Sequence, residues 1–344
     1  MRTNLLIAAL VVAPLSLRAQ WIAAPPLGDA EFRGLSAAAP NVVWASGTHG
    51  RYARSIDGGR TWQIDSVAGA GTLDFRAVQA LDARRAWLMS AGNAEKGQAR
   101  IYRTTDAGAH WSLVYSTLQK GVFLDALAFW DAHHGIALSD PVEDHLFLLT
   151  TNDGGGSWTR VPSERLPATL PGEAAFAASG TCLTVDGQSD VWIGTGGGVM
   201  ARVFHSSDRG RTWTVAETPI HAGNGSSGVF GVAFRDARHG IAVGGDYQLV
   251  RGGFPNVALT DDGGRTGRVA KGPLPVGYLS GAAYIPGTGH VIAVGLAGTA
   301  LSLDSGESWK MVDTVAYNAV RFAAGNAGYA AGPKGRVARW STGP

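Results

Sequence analysis

Four arginines fall at one equivalent position of an internal repeat and are candidates for binding an anionic group. Each stands six residues before a recurring aspartate, or at the matching place of a degenerate last repeat. They are Arg51, Arg100, Arg202 and Arg336. Arginine carries a planar fork of donors that fits carboxylate and phosphate groups. The spacing therefore predicts a face that binds an acidic partner or an anionic ligand; the alternative is a set of solvated arginines inherited with the repeat.

A second set of polar residues recurs in the first strand-like run of each repeat, just before a small residue. Its charged or amide-bearing members are Arg33, Arg76, Asp125 and Asn318. If the repeats close into a ring, this position points into the central channel, and these residues are candidates for ligand binding. The alternative is a water-filled structural channel in which arginine and aspartate pair with each other.

Two further carboxylates, Asp140 and Glu173, lie in segments that are longer than a hairpin needs. Such loops often carry functional residues, because the scaffold tolerates their insertion. We therefore add both carboxylates to the candidate binding residues and expect them at the rim of the channel. No catalytic residue and no cofactor is predicted. The nine histidines show no spacing typical of a metal site.

Six aspartates recur within nearly the same octapeptide, Ser/Thr-x-Asp-x-Gly-x-Ser/Thr/His-Trp, with glycine in place of tryptophan in the fifth copy. They are Asp57, Asp106, Asp153, Asp208, Asp262 and Asp304. A metal or sugar site at each aspartate is one interpretation. The other is a structural turn, because aspartate accepts backbone N–H groups just downstream of itself in turns. A repeat favours the structural interpretation, since every repeat needs its turn.

These octapeptides lie between short apolar runs, as expected for β-hairpins, and recur every 42 to 55 residues. Such a period is typical of a propeller or a solenoid. Two more strand-like runs precede each octapeptide, and a seventh repeat, residues 318–342, lacks one. Gln20-Trp21-Ile22 resembles the outer strands of other repeats, so it is predicted to complete the last blade and remove an exposed sheet edge. We predict an all-β, seven-bladed propeller of four-stranded antiparallel blades over residues 20–344.

Residues 1–19 have the features of a secretory signal. Arg2 precedes an apolar stretch, residues 5–17, that is too short to span a bilayer comfortably, and Ala19 offers a cleavage site. We expect export to a periplasm or beyond, no transmembrane segment, and a monomer. Without Arg2 and Arg18 the 29 Lys and Arg become 27, equal to the 27 Asp and Glu, so nothing indicates a nucleic-acid partner. The single cysteine, Cys182, excludes an intrachain disulfide.

Taken whole, residues 20–344 resemble the Asp-box (BNR repeat) proteins of the photosystem II stability/assembly factor type, in their non-photosynthetic bacterial branch. The resemblance rests on the Phe75-Arg76-Ala77-Val78 type of inner strand, on the Gly-x-x-Gly-Arg approach to Arg51 and Arg336, and on the six octapeptides. It implies an exported, non-enzymatic assembly or scaffold propeller that binds a protein through a basic surface region.

A sialidase-like or other glycoside hydrolase is the alternative function. Such an enzyme needs two carboxylates, and a sialidase also needs arginines to hold the sugar acid. Asp125, Asp140 and Glu173 could supply part of such a site for a glycan. The sialidase Arg-Ile-Pro motif has its nearest match in Arg160-Val161-Pro162, which follows the third octapeptide instead of preceding the first. A nicotinamide or flavin oxidoreductase has no support, because no strand–GxGxxG–helix unit occurs.

Overall fold

Seven four-stranded antiparallel sheets form a closed ring in the computed structural model, which describes residues 20–341. The prediction of an all-β, seven-bladed propeller is thereby confirmed. The proposed signal sequence, residues 1–19, and residues 342–344 lie outside the described part. Within that part, three single-turn 3-10 helices accompany the strands. None of the helices described in this range is long and apolar enough to cross a membrane.

The first strand, β1, is Gln20–Ala23, and the blades then follow in chain order. Blade 1 consists of β2 (Phe32–Ala39), β3 (Val42–Gly47), β4 (Arg51–Ser55) and β5 (Gln63–Ser66). Blade 2 consists of β6 (Asp74–Ala80), β7 (Ala86–Ala91), β8 (Ala99–Thr104) and β9 (Ser112–Thr117). Blade 3 consists of β10 (Leu124–Phe129), β11 (Gly135–Val142), β12 (His145–Thr151) and β13 (Thr159–Arg160).

Blade 4 consists of β14 (Leu183–Asp186), β15 (Asp190–Gly194), β16 (Ala201–Ser206) and β17 (Thr214–Thr218). Blade 5 consists of β18 (Ser227–Phe234), β19 (Gly240–Asp246), β20 (Val257–Thr260) and β21 (Arg268–Val269). Blade 6 consists of β22 (Gly281–Tyr284), β23 (Val291–Gly295), β24 (Gly298–Ser302) and β25 (Lys310–Asp313), and blade 7 begins with β26 (Ala319–Ala323), β27 (Ala327–Ala331) and β28 (Val337–Ser341). The 3-10 helices are Ala94–Lys96, Ser163–Arg165 and Ala324–Asn326.

The core lies between neighbouring blades, because each sheet packs both of its faces against another sheet. Every residue of β7 is buried, so this strand reads as a continuous apolar run instead of an alternating one. Trp44 and Tyr52 of blade 1 pack in one cluster with Phe75, Leu88 and Tyr102 of blade 2. Aromatic side chains remove large apolar areas from water and thereby hold adjacent blades together.

The carboxylates of the six recurring aspartates accept hydrogen bonds from groups of their own turns. In each turn the Ser or Thr hydroxyl, two residues earlier, donates to the aspartate Oδ1 and accepts the N–H of the glycine two residues later. In blade 3, Asp153 also accepts the backbone N–H groups of Gly156 and Ser157, at 2.9 and 3.0 Å. This network uses the carboxylate for the hairpin itself, as the structural interpretation of the octapeptides expects.

The ring is closed by the N-terminal strand, as predicted. β1 pairs antiparallel with β28, with Trp21 opposite Trp340, and becomes the fourth strand of blade 7. The two indole rings meet edge to face at 4.9 Å. Trp21 Nε1 also donates to Thr299 Oγ1 of blade 6 at 2.9 Å, so the strand joins two blades as well as both ends of the chain.

Candidate functional site

β-Bulges aim four inner-strand side chains at the propeller axis. The pairing of β2, β6, β10 and β18 with the next strand skips one residue near the start of each strand. The skipped residues are Arg33, Arg76, Asp125 and Phe230. A bulge leaves one residue unpaired and redirects its side chain. The position that repeat alignment predicts to face the channel is therefore a bulge in four of the seven blades, a feature that the sequence alone does not reveal.

A cavity of about 350 Å³ lies at this end of the channel. It brings together five of the predicted residues, namely Arg33, Arg76, Asp125, Asp140 and Asn318. Phe230, which occupies the same repeat position as Arg76, also lines it. Sequence reasoning missed the rest of the lining, which comprises Glu31, Phe123, Ala175, Phe176, Ala177, Ala178, Tyr247, Tyr278 and Leu296. Most of the missed residues lie in connections between strands, where repeat alignment gives no register.

One wall of the cavity is the segment 175–180, which spans the channel. It belongs to the long connection between blades 3 and 4, yet its backbone binds distant blades. The carbonyl of Ala178 accepts from Arg33 Nη1 of blade 1 at 3.5 Å, and that of Gly180 accepts from Arg321 Nη2 of blade 7 at 3.3 Å. Ser179 Oγ donates to the carbonyl of Ser280 in blade 6 at 2.7 Å. The connection thus fills part of the channel that the repeat would leave open.

Each arginine of the cavity pairs with the carboxylate two residues earlier in the chain. Arg33 Nη2 lies 2.5 Å from Glu31 Oε1, and Arg76 Nε lies 2.7 Å from Asp74 Oδ2. The Nη atoms of Arg76 have no hydrogen-bond partner among residues 20–341, and its side chain is 32% exposed. Arg76 can therefore still offer donors to an anionic group that enters the cavity.

Asp125 and Asp140 give the cavity two carboxylates in unusual surroundings. Asp125 is 1% exposed, and neither of its oxygens has a hydrogen-bond partner within the described residues, although the N–H groups of Asp140 and Ala177 lie nearby. Asp140 Oδ1 accepts the N–H of Ala175 at 2.9 Å. Burial, with the neighbouring charge of Asp140, raises the pKa of Asp125 well above its usual range. Burial also raises the pKa of Asp140 to about 6.

Aromatic rings line another part of the cavity, next to the spanning segment. Phe176 of the spanning segment stacks on Phe230 at 3.9 Å, and Phe230 meets Tyr278 edge to face at 4.8 Å. Tyr247 lies 6.5 Å from Tyr278 and is 44% exposed. Such a lining can pack against an apolar or a cationic group of a ligand.

The second predicted set of arginines lies outside the cavity. Arg51 pairs with Asp29 at 3.1 Å. Arg100 donates to the carbonyl of Gly97 and to the hydroxyl of Tyr102 in its own blade. Arg336 donates to the carbonyl of Ala316 at 2.7 Å, and its guanidinium lies over the Tyr317 ring. All three remain partly accessible around the ring.

The placement predicted for Arg202 and Glu173, on an accessible face and rim, differs from the structure. Both residues are buried, at 8% and 5% exposure, and they form a two-contact ion pair with each other. Thr195 Oγ1 and the N–H of Leu170 also donate to Glu173, and the carbonyl of Ala168 accepts from Arg202 Nη2. The pair anchors the long connection to blade 4. Repeat alignment places Arg202 correctly on its strand but does not show that an inserted carboxylate covers it.

The molecule is thus a closed seven-bladed propeller with a polar and aromatic cavity at its axis. No protein family model matches the sequence, and no curated protein matches it. Solved structures of similar fold include YCF48 bound to D1 peptide, with a TM-score of 0.65 and 17% identity over 97% of this chain and 99% of that chain. YCF48 from Cyanidioschyzon merolae gives a TM-score of 0.64 and 16% identity over 93% and 98% of the two chains.

A GH74 enzyme from Niastella koreensis also shares the fold, with a TM-score of 0.60 and 15% identity over 87% of this chain. The match covers 50% of that enzyme. At these identities the likeness is one of fold, which agrees with the propeller expected from the resemblance to the photosystem II assembly-factor type.

Proposed function

We propose that this protein is an exported binding or assembly factor that captures a partner protein at the mouth of the axial cavity. The main support for this proposal is that the Nη atoms of Arg76 have no hydrogen-bond partner within the described residues. Arg76 lies beside Arg33 in a cavity that also has aromatic lining residues. Arginine donors of this kind bind carboxylates in a forked geometry, so the partner presents an acidic or other anionic group. Arg51, Arg100 and Arg336 surround the ring and extend the basic face. The similar fold of YCF48, solved with a bound peptide, supports a peptide as the occupant.

Capture from the native envelope fraction tests this proposal. Immobilised mature chain is compared with an Arg33→Gln/Arg76→Gln variant and with an Arg60→Gln/Arg211→Gln control, in which two exposed arginines far from the cavity lose the same charge. We expect a partner that wild type and control retain and the cavity variant loses. A synthetic peptide of the captured acidic segment is then titrated calorimetrically, and the cavity variant should bind at least about tenfold more weakly.

Folding must be separated from binding, because Asp74 loses its partner when Arg76 is replaced. Arg76→Lys keeps a charge beside Asp74 but removes the fork, so it should retain the wild-type melting temperature and still weaken binding. An equal loss of partner binding in the Arg60→Gln/Arg211→Gln control would contradict the proposal, since it would show a non-specific charge effect.

Glycoside hydrolysis is the second candidate, and the carboxylates of the cavity favour it. Asp125 and Asp140 line one cavity, and both pKa values are raised, as a general acid requires. A GH74 enzyme of similar fold makes a glycan a reasonable substrate to assay. Release of reducing sugar from polysaccharides by wild type, but not by Asp125→Asn, would support this function and displace the first.

A further inference from the structure

The charges of the cavity do not balance. Arg33 is paired with Glu31, and Arg76 is paired with Asp74, so each arginine is already neutralised within its own blade. Asp125 and Asp140 line the same cavity, and neither forms an ion pair within the described residues; the charge of Arg76, which is already paired with Asp74, offsets only part of the burial of Asp125. When both carboxylates are ionised, the cavity therefore carries an excess of negative charge beside its two arginines.

Asp125 is the strongest indication of a missing partner. A buried carboxylate without hydrogen bonds costs free energy, and natural folds rarely keep one. Here the bulge of β10 aims the side chain into a cavity, and both oxygens lack a partner although the residue is 1% exposed. A group that enters the cavity and donates hydrogen bonds would satisfy this carboxylate.

The remaining lining decides between a metal ion and an organic cation. Within residues 20–341, no group of three or more His, Cys, Asp or Glu side chains is placed to hold a metal ion. The same cavity instead presents aromatic rings, including those of Phe230, Tyr247 and Tyr278. Aromatic faces attract ammonium groups once these are desolvated. The chemistry therefore fits an organic cation better than a metal.

We propose that Asp125 and Asp140 form a subsite for a primary ammonium group, as carried by a lysine side chain of the bound partner segment. This inference rests on the proposed function, because it assigns a second contact to the same cavity. The arginines would hold an acidic group of the segment, and the two aspartates would hold a basic one nearby. The cavity would then select a segment with both charges over a purely acidic one.

The subsite should be controlled by pH through its carboxylates. The titratable and charged groups around Asp125 are Arg76 from β6, which is paired with Asp74, Asp140 from β11, Arg33 and Glu31 from blade 1, Tyr278 before blade 6, and the buried thiol of Cys182. Burial raises the pKa values of Cys182 and Tyr278, so both stay neutral near pH 7, and lysine stays charged to about pH 10. Affinity for an ammonium group should thus rise as Asp140, with a pKa of about 6, ionises.

Two matched probe peptides test the inference on the mature chain. Acetyl-Gly-Lys-Gly-amide is compared with acetyl-Gly-norleucine-Gly-amide, which keeps the aliphatic stem and lacks the charge, by NMR titration at pH 8 and pH 5. We expect the lysine peptide to bind at least about tenfold more tightly than the norleucine peptide at pH 8, and this preference to shrink severalfold at pH 5.

Asp125→Asn and Asp140→Asn should abolish the preference, whereas Asp65→Asn, which removes an exposed carboxylate on β5, should retain it. If either variant fails to fold, the affinities of the two peptides for the wild-type protein at pH 8 and pH 5 still test the inference. Equal binding of the two peptides at pH 8, or a preference that survives Asp125→Asn in a folded protein, would overturn the inference.

An acidic probe separates this result from the proposed function. Acetyl-Gly-Glu-Gly-Glu-amide is titrated in parallel into wild type and Arg33→Gln/Arg76→Gln. If it binds through the arginines while lysine shows no preference, the ammonium subsite alone is overturned. If the lysine peptide alone binds, the subsite is supported and the anionic contact fails. If neither peptide binds, both proposals are overturned.

Discussion

At the scale of single residues, the ionisation of Asp140 should have a clear effect on the free energy of unfolding. Burial raises its pKa from 3.8 to about 6 in the folded state. Between these values the folded protein holds a proton that the unfolded chain releases. Stability from this group is therefore full below about pH 4, falls as the pH rises to about 6, and stays lower above that.

We predict that Asp140→Asn stabilises the protein at pH 8 and not at pH 4. Asparagine keeps the Oδ1 acceptor for the N–H of Ala175 and cannot ionise. The gain in free energy of unfolding should be about 1 to 3 kcal/mol at pH 8, measured by urea denaturation across the pH range. Asp65→Asn, at an exposed position, serves as the control and should show no such trend. A constant difference between pH 4 and pH 8 would contradict the prediction.

Repeat alignment predicted the backbone place of each candidate side chain but not its partner. It put Arg33, Arg76, Asp125 and Asn318 at the axis, where the structure has them. It also treated Arg202 as equivalent to Arg51 and Arg100. The difference comes from Glu173, which the inserted connection buries against Arg202. Contacts of this kind depend on a loop that has no counterpart in other blades, so no repeat position encodes them.

At the scale of the strand and its turn, the recurring aspartates stabilise hairpins. The backbone N–H of Ser157, together with the hydroxyls of Thr151 and Ser157 and the N–H of Gly156, lowers the pKa of Asp153 to about 2. The folded-state pKa is below the unfolded one. The stability that the charge provides is present above the usual pKa near 4 and is lost as the pH falls to about 2.

We predict that Asp153→Ala lowers the free energy of unfolding by about 1 to 3 kcal/mol at pH 7, because several turn hydrogen bonds are lost at once. The difference from wild type should disappear near pH 2, and binding at the axial cavity should be unchanged. Chemical denaturation at both pH values measures this. Asp186→Ala, whose carboxylate makes no hydrogen bond within the described residues, should cost much less. An equal cost in both variants would show that the turn network contributes little.

The strands and turns that recur in every blade can be predicted from the sequence, whereas the connection between blades 3 and 4 cannot. The period and the octapeptides predicted four strands per blade and seven blades. The segment 175–180 could not be predicted, because its path across the channel depends on contacts such as Arg321 with the carbonyl of Gly180, between residues far apart in sequence. This segment shapes the cavity, which is why the site was predicted less completely than the fold.

At the scale of the molecule, the propeller depends on one short strand that closes the ring. β1 contributes four residues to blade 7, yet it covers the edge of β28 and contacts blade 6 through Trp21. An uncovered edge presents unpaired N–H and C=O groups that can pair with another chain. Closure should therefore raise thermal stability and limit self-association through this edge.

We predict that removal of residues 20–23 lowers the free energy of unfolding by at least about 3 kcal/mol, because Trp21 leaves its packing against Trp340 and Tyr317. The shortened protein should also self-associate through the freed edge of β28. Scanning calorimetry and size-exclusion chromatography with light scattering measure the two effects. Trp213→Ala is the control, since Trp213 donates to the carbonyl of Gly210 in its own turn and packs between blades 3 and 4, away from the chain ends. It should lose stability and stay monomeric. A shortened chain that remains monomeric and melts like wild type would mean that blade 7 is stable with three strands and that closure is not what holds the ring.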